Sequence, residues 1–364
     1  MSLTVTSQNS DKRDIVFVIR SLANGGAERV VTNLSSLLSN ARNQCHIITL
    51  QNELELEVDD SIPIHHFSPS VARYLPRPLK AKKLASEFDH FIASELKLTP
   101  SAVFSNLYSS DFFLRHSRNC VTFILHAPAL NRGKTLSSEQ SRKRKVNRLR
   151  KLYGSRRCVA VSQGVQEDFQ KTLSDTEIPC IYNPVMRDFV VASSNQPVSG
   201  IPEEFLLHAG RLDAQKRHDI LIQAYAQSGV QTPLVLLGKG ELESRIRKQI
   251  QDLGLEEKIF MFGYKKNPYP FMKKAKGLIL SSEYEGLGMV LLESLVLGTP
   301  AVSFDCPFGP SEILPEHCLV PPLDTEGLST KIRELEKNPR HFLAPIAPEF
   351  GDHFIAHAYE KLLQ

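Results

Sequence analysis

Short β-rich apolar runs alternate with helical patterns along this chain, and the alternation is carried through twice. In the first half the runs IVFVIR (15–20), CHIITL (45–50), SAVFSN (101–106), VTFILH (121–126), CVAVS (158–162) and IPCIY (178–182) predict strands. Helices are predicted from Ala27 to Leu38, Leu79 to Leu96 and Ser138 to Tyr153. In the second half the strands are FLLHAG (205–210), PLVLLG (233–238), KIFMFG (258–263), GLILSS (277–282), PAVSFD (300–305) and HCLVP (317–321). Asp219 to Ala226, Leu242 to Leu253, Pro270 to Lys274, Met289 to Leu297 and Glu326 to Lys337 read as helices between them. Strands joined through helices pair in parallel, and 364 residues exceed what one core usually serves, so two α/β domains are expected. The segment Met186–Pro202 is rich in Ser, Pro and small residues without a sustained period, and it is the expected linker between a domain over 1–186 and one over 187–351. The tail, 352–364, reads as a helix able to pack back on the first domain.

Hydrophobic residues at 41% and charged residues at 23% are ordinary for a globular protein, and no apolar run approaches the ~20 residues of a membrane span. The polar N-terminus MSLTVTSQNSDKRD lacks the apolar core of a signal peptide, so a cytoplasmic protein is expected. Cys45, Cys120, Cys158, Cys180, Cys306 and Cys318 form no C-x-x-C pair, most sit inside apolar strand-like runs, and all are expected to be reduced core residues. The net charge of +4 points to no polyanion by itself, but Arg142, Lys143, Arg144, Lys145, Arg148, Arg150, Lys151, Arg156 and Arg157 crowd one short stretch. With Val146, Leu149 and Tyr153 near one face, this is a basic amphipathic helix whose apolar stripe packs inward. Its cationic face, with Arg73, Arg77, Lys80, Lys82 and Lys83 as company, suits an anionic membrane surface or a phosphorylated glycan. A nucleic-acid partner is not expected, because the aromatic residues of a stacking platform are missing.

Three segments carry chemistry. In SLANGGAERVV, Gly25 and Gly26 introduce a helix whose N-terminal N–H groups suit an anion, or simply make a tight strand-to-helix turn. The full G-x-G-x-x-G of a dinucleotide site is absent. In HAGRLDAQKRHD, Arg211 and Lys216 follow the first strand of the second unit, where an open parallel sheet holds its ligand and two cations could grip a diphosphate. In SSEYEGLGMVLLESLVLGTPAVSFD, Glu285 sits at a turn, Gly286 and Gly288 let backbone approach a ligand, and Glu293 follows on a helix. Glu285 suits sugar hydroxyls. Glu293, about two turns further along, lies on a similar face within reach of a ribose, and inside VLLESLVL its charge demands a partner.

These motifs resemble the retaining GT-B glycosyltransferases of family four, which include lipopolysaccharide, capsule and phosphatidylinositol mannosyl transferases. The resemblance runs through GGAERVV, LHAP with His126, GRLDAQKRHD, GKGELES with Gly240, FGY, the E-x7-E pair Glu285 and Glu293, and GTPAVSFDCPFGPSEIL. It implies two Rossmann-like doubly wound domains facing across a cleft, the first binding acceptor and the second a nucleoside diphosphate sugar. It further implies that Arg211 and Lys216 hold the donor diphosphate, Glu293 the ribose, and Glu285 the transferred sugar, with Gly286, Leu287 and Gly288 close by. Phe262, Gly263 and Tyr264 would flank the nucleobase, Gly25 and Gly26 would face the diphosphate, and His126 would lie near the transferred sugar. Asn183-Pro184-Val185 departs from the common pattern, where many relatives have glycine instead of proline.

The expected reaction moves a hexosyl or N-acetylhexosaminyl group from a UDP-linked sugar to a glycan or lipid-linked glycan with retention, in cell-surface polysaccharide synthesis. The catalytic set would be His126, Glu285, Arg211 and Lys216. No cofactor and no metal are expected: D-x-D is absent, and His353 and His357, though four apart, lack the glutamate of H-E-x-x-H. Two rivals fit the same architecture, an epimerase acting on a sugar nucleotide without acceptor and a non-catalytic sugar-nucleotide-binding protein.

Overall fold

The computed structural model describes residues 12–23, 25–70, 76–130, 139–173 and 176–363. Arg73, Ser138 and the polar stretch 1–11 lie outside them. Two six-stranded sheets organise the chain. The first contains β1 (Arg13–Ile19), β2 (Asn43–Thr49), β3 (Ile64–His66), β4 (Ala102–Asn106), β5 (Val121–Leu125) and β6 (Arg157–Ala160), in the order β3-β2-β1-β4-β5-β6. The second contains β7 (Leu206–Ala209), β8 (Leu234–Leu237), β9 (Ile259–Gly263), β10 (Gly277–Leu280), β11 (Ala301–Phe304) and β12 (Leu319–Val320), in the order β12-β11-β10-β7-β8-β9. Every strand pair in both sheets is parallel.

The strands are nearly continuous apolar runs because helices cover both faces of each sheet. In β1, Ile15, Phe17 and Ile19 enter one core while Val16 and Val18 enter another on the opposite face, and all five are fully buried. The first of these cores continues into the second domain. Part of that continuity comes from the C-terminal helix Asp352–Lys361, whose Tyr359 stands edge-on to Phe104 at 5.5 Å. Asp352 at its start accepts from the backbone N–H groups of Met186 and Arg187, tying the tail to the crossing between domains.

Each sheet reverses its winding between its first strand and a neighbour reached later, at β1/β4 and at β7/β10. Such switch points open crevices at the carboxyl ends of the strands. The loops leaving β1, β7 and β10 carry Gly25-Gly26, Arg211 to Lys216 and Glu285 to Gly288, so topology alone brings the motif residues to two facing crevices.

Several local expectations are corrected. The linker segment contains a helix, Arg187–Ser193, which buries Val190 against the helices Tyr269–Lys274 and Met289–Val296; fewer than two turns with one buried residue leave no legible period. IPCIY forms only an isolated bridge between Cys180 and Ala160, since Pro179 has no N–H to extend a ladder. In HCLVP only Leu319–Val320 is strand, preceded by a 3-10 turn. The short edge strand β3 and the helices Tyr108–Leu114 and Gln163–Thr172 are additional to the elements expected from the sequence. All six cysteines are free, and Cys120 is exposed rather than in a core. Among the described residues no helix is long and apolar enough to cross a membrane.

Candidate active site

The second domain builds its half of the site around one ion pair. After β7 the chain makes a 3-10 turn, Ala214–Lys216, because the Asp213 carboxylate caps it, accepting from the N–H groups of Gln215 and Lys216. The turn is pinned to the loop after β10: Ser281 Oγ donates to the Lys216 carbonyl at 2.8 Å and Gln215 Nε2 to the Tyr284 carbonyl at 2.8 Å. Lys216 Nζ then lies 2.6 Å from Glu285 Oε1, which also accepts from Ser282 Oγ at 2.5 Å. Gly210 packs close beside it, where a Cβ would lie 3.1 Å from Lys216 Cε. Beneath the lysine, His208 is buried and donates from Nδ1 to the Ile279 carbonyl at 2.9 Å; burial pushes its pKa down to about 4, so no second cation competes with Lys216.

Arg211 is placed differently. Its side chain is 59% exposed and bonded to Asp213 at 3.1 Å and to Gln215 at 3.2 Å, so it stands at the rim of the crevice and not on the Lys216–Glu285 pair. Its field reaches Glu28 on the first domain, whose carboxyl is pushed up chiefly by burial.

Glycines close the two domains on each other. A Cβ on Gly286 would meet the His126 carbonyl oxygen at 2.1 Å, so the turn 285–288 rests directly on the end of β5. Gly288, at φ +89°, N-caps the helix Met289–Val296, Leu287 is buried, and Gly309 lies so close to the Leu287 carbonyl that a Cβ would be 2.1 Å away. Gly240 packs on Leu212 with the same intolerance. On the facing side Gly25 precedes the helix Gly26–Leu38; the space where a Gly25 Cβ would project is held by the Glu28 carboxylate, whereas nothing crowds Gly26.

His126 Nε2 is 2.8 Å from Asn106 Oδ1. The Asn106 amide donates to the Val18 and Phe104 carbonyls, which orients Oδ1 toward the imidazole and makes Nε2 the protonated nitrogen. Burial pushes the His126 pKa down to about 4, so the ring is neutral near pH 7 and Nδ1 is an acceptor. It has the character of a hydroxyl-binding group, not of a cation.

Glu285 and Glu293 do not share partners, so the similar face expected for them is corrected: Glu285 precedes the helix and turns toward Lys216, while Glu293 turns toward Tyr269 and Arg29. The nucleobase candidates sit at the end of β9. Lys239 stacks over the Tyr264 ring at 5.3 Å, the Gly238 N–H donates to the Gly263 carbonyl, and Phe262 meets Phe271 edge-on. This end is spanned by Lys239–Glu55 and Lys266–Glu57 ion pairs to the first domain.

Residues outside the predicted set complete the site. Glu312 crosses from the second domain to accept from the Gln163 and Gly164 N–H groups and from Tyr182 Oη, while Phe308 covers Gly164. Asn106, Glu28, Arg29 and Tyr269 also lie outside that set. Glu28, Arg29 and Glu312 lie within the quoted stretches GGAERVV and GPSEIL, yet a charge in a loop or first helical turn announces no partner. His353 and His357 are exposed on the last helix, and no group of three or more His, Cys, Asp or Glu placed to share a metal occurs among the described residues.

The basic helix, Glu139–Tyr153, buries Leu152 and Tyr153 and rests Leu149 on the core, while Arg142, Lys143, Arg144, Arg148, Arg150 and Lys151 face solvent. Lys145 turns in to the Leu130 carbonyl at 2.9 Å. Arg156, in the bend after this helix, and Lys82, on the helix Arg77–His90, both bear on His116.

With this geometry in view, the comparisons with known proteins divide the chain where the structure does. The Glycosyltransferase Family 4 model matches residues 24–189 and the Glycosyl transferases group 1 model residues 193–352. The chain is 28% identical over 345 residues to the N-acetylgalactosamine-N,N'-diacetylbacillosaminyl-diphospho-undecaprenol 4-alpha-N-acetylgalactosaminyltransferase of Campylobacter jejuni, covering 88% of this chain and 92% of that protein. It is 29% identical over 163 residues to the lipopolysaccharide 1,6-galactosyltransferase of Salmonella typhimurium, covering 43% of this chain and 45% of that one. Among solved structures, a mutant of S. aureus TarM in complex with Fondaparinux, alpha-GlcNAc-glycerol and UDP superposes with a TM-score of 0.75 at 13% identity, over 97% of this chain and 100% of that one. Sucrose-phosphate synthase from Thermosynechococcus elongatus gives 0.73 at 20% identity, over 96% and 98%.

Proposed function

We propose that this chain, a GT-B glycosyltransferase of the family 4 and group 1 type, moves a hexosyl or N-acetylhexosaminyl group from a UDP-sugar to a hydroxyl of a lipid-linked glycan, with retention of configuration. The observation that carries the reading is the Lys216–Glu285 pair at 2.6 Å, held at the second sheet's switch point against the His126 end of β5. An ammonium and a carboxylate side by side there suit the two ends of a glycosyl phosphate: the cation takes a phosphate oxygen, the carboxylate a sugar hydroxyl. Neutral His126 adds an acceptor for a second hydroxyl from across the cleft.

In this mechanism the bond between the anomeric carbon and the phosphate oxygen breaks as the acceptor oxygen bonds to the same face of that carbon. The acceptor's proton passes to the departing diphosphate. Lys216, Arg211 and the N-terminus of the helix at Gly288 stabilise the charge on the leaving group, so no metal is needed for that role. Glu285, already bonded by Lys216 and Ser282, is a poor nucleophile and a good positioning acceptor, which favours front-face attack. Retention is also supported by the α-linkage in the Campylobacter relative's name, since common UDP-hexoses are themselves α-linked. The relatives' lipid-linked and lipopolysaccharide acceptors support the acceptor class. The solvent-facing cations of Glu139–Tyr153 and of the helix Arg77–His90 would hold the enzyme at the cytoplasmic face of an anionic membrane.

Transfer assays with a panel of sugar nucleotides and lipid-linked saccharides test the reaction, with the anomeric configuration of the product read by NMR. An α-linked product and nucleotide release proportional to acceptor are expected; a new sugar nucleotide formed without acceptor, or binding without turnover, defeats the proposal. Flotation with liposomes of increasing anionic lipid content tests the membrane contact separately.

A further inference from the structure

Glu293 stands in the apolar helix Met289–Val296 between buried leucines, where an ionised carboxylate without compensation would be strongly disfavoured. Among the described residues its partners are two: Tyr269 Oη, 3.2 Å from Oε1, and Arg29 Nη1, 4.0 Å from the same oxygen. Arg29 belongs to the other domain, on the first turn of the helix Gly26–Leu38, and its Nη1 also donates to Tyr269 Oη at 2.6 Å. Hydrogen counting fixes the direction of this chain. A guanidinium has only donors and a phenol has one hydrogen, so with the phenol oxygen accepting from Arg29, its hydrogen goes to Glu293. The guanidinium carbon lies 5.6 Å from the Tyr269 ring centre and holds that ring as well as its hydroxyl. Oε1 is therefore committed, and Oε2 remains to accept from a ligand.

We propose that Arg29 is the positioning residue of the ribose site: through Tyr269 it orients Glu293 and keeps it an acceptor, so that recognition of the ribose hydroxyls is completed by the first domain and not by the donor domain alone. The inference rests on the reading of Glu293 as the ribose-binding carboxylate. Charge supports the geometry. Desolvation raises the Glu293 pKa and Arg29 opposes it, while the phenols facing Arg29, Tyr269 and Tyr264, are both displaced upward and stay neutral. A protonated Glu293 could still donate, but it would lose the acceptor that two vicinal hydroxyls require. Because Arg29 and Tyr269 are 240 positions apart and on opposite domains, the site has this form only while the domains are closed on each other.

The experiment is calorimetric titration with whichever of UDP, GDP and ADP binds best, and with its 2′,3′-dideoxy counterpart, on wild type, R29Q, R29K, Y269F and E293Q. Wild type should prefer the ribose form by about 10-fold or more, the worth of a hydrogen bond to a charged group. R29Q should narrow that preference to within about 3-fold, with the remainder growing as pH rises, and R29K should recover part of it. A folded R29Q, checked by thermal unfolding, that keeps the wild-type preference while losing affinity for both ligands equally overturns the inference and leaves Glu293 in place. No preference in wild type, or an unchanged one in E293Q, removes Glu293 from the ribose and the inference with it. Should R29Q fail to fold, full preference retained in both R29K and Y269F overturns the inference equally.

Discussion

Lys216 Nζ and Glu285 Oε1 lie 2.6 Å apart with side-chain exposures of 13% and 10%, and the two residues come from loops after different strands of the second sheet. Removing one partner of a nearly buried pair leaves the other uncompensated. Lys216→Ala should therefore destabilise the protein by about 3 kcal/mol in urea unfolding. It should also lower kcat about 100-fold or more, through lost stabilisation of the leaving diphosphate. Glu285→Gln, which keeps an acceptor for the lysine, should cost less stability while still impairing transfer. Wild-type turnover in both variants would remove the pair from the mechanism.

Gly286→Ala separates closure from folding. The added methyl would stand 2.1 Å from the His126 carbonyl oxygen, which is backbone and cannot swing aside. The turn 285–288 must then lift off the first domain, and if it borders the reacting centre as proposed, a displacement of this order costs about 100-fold in rate. Circular dichroism should stay near wild type while kcat falls; full activity would mean that the contact is not kept during catalysis.

Glu312→Ala deletes a cross-domain cap, releasing the Gln163 and Gly164 N–H groups and Tyr182 Oη together. A loss of about 1–2 kcal/mol is expected in urea unfolding, accompanied by a larger radius of gyration in solution scattering. An unchanged radius would show that other contacts hold the domains closed.

The buried Asp111 gives a pH signature unrelated to the site. It accepts from Ser105 Oγ at 2.6 Å and from Tyr153 Oη at 2.7 Å, yet burial pushes its pKa up to about 7. Unfolded, the same carboxyl titrates near about 3.9. Between these values the folded chain holds a proton that the unfolded chain has released, so stability falls as pH rises from about 4 to about 7. The melting temperature of Asp111→Asn minus that of wild type should thus climb by several degrees between pH 5 and pH 8. A flat difference would place the folded pKa elsewhere.

In the proposed mechanism Lys216, Arg211 and a helix N-terminus supply the positive charge a metal would otherwise bring, so activity should be unchanged after exhaustive chelation. Loss of transfer in EDTA, restored by a divalent ion, would overturn metal independence.

Much of this architecture was legible in one dimension. The runs around Ile15–Ile19 and Leu234–Leu237 announce strands because both faces are buried and almost every side chain is apolar. Elements that bury little were not legible: β3 has exposed ends, and the helix Arg187–Ser193 buries only Val190, so neither shows a period. The helix Gln163–Thr172 left one unread trace, the N-cap Ser162 accepting from the Val165 N–H.

Within the site the division follows the range of the interaction. Glycines at 286 and 288 and the charges at 211, 216, 285 and 293 are dictated locally, by turns that need no side chain and by strand ends that open into a crevice, so their identities can be read directly from the chain. Which charge answers which is not local. That Lys216 meets Glu285 while Arg211 stays at the rim was decided when β7 and β10 paired within the second sheet, and that Glu293 is held from the opposite domain by Arg29 and Glu312 caps a helix of the first sheet were decided when the two sheets closed face to face. Pairs so distant in sequence have no period and no fixed spacing, and only folding brings them within hydrogen-bond range.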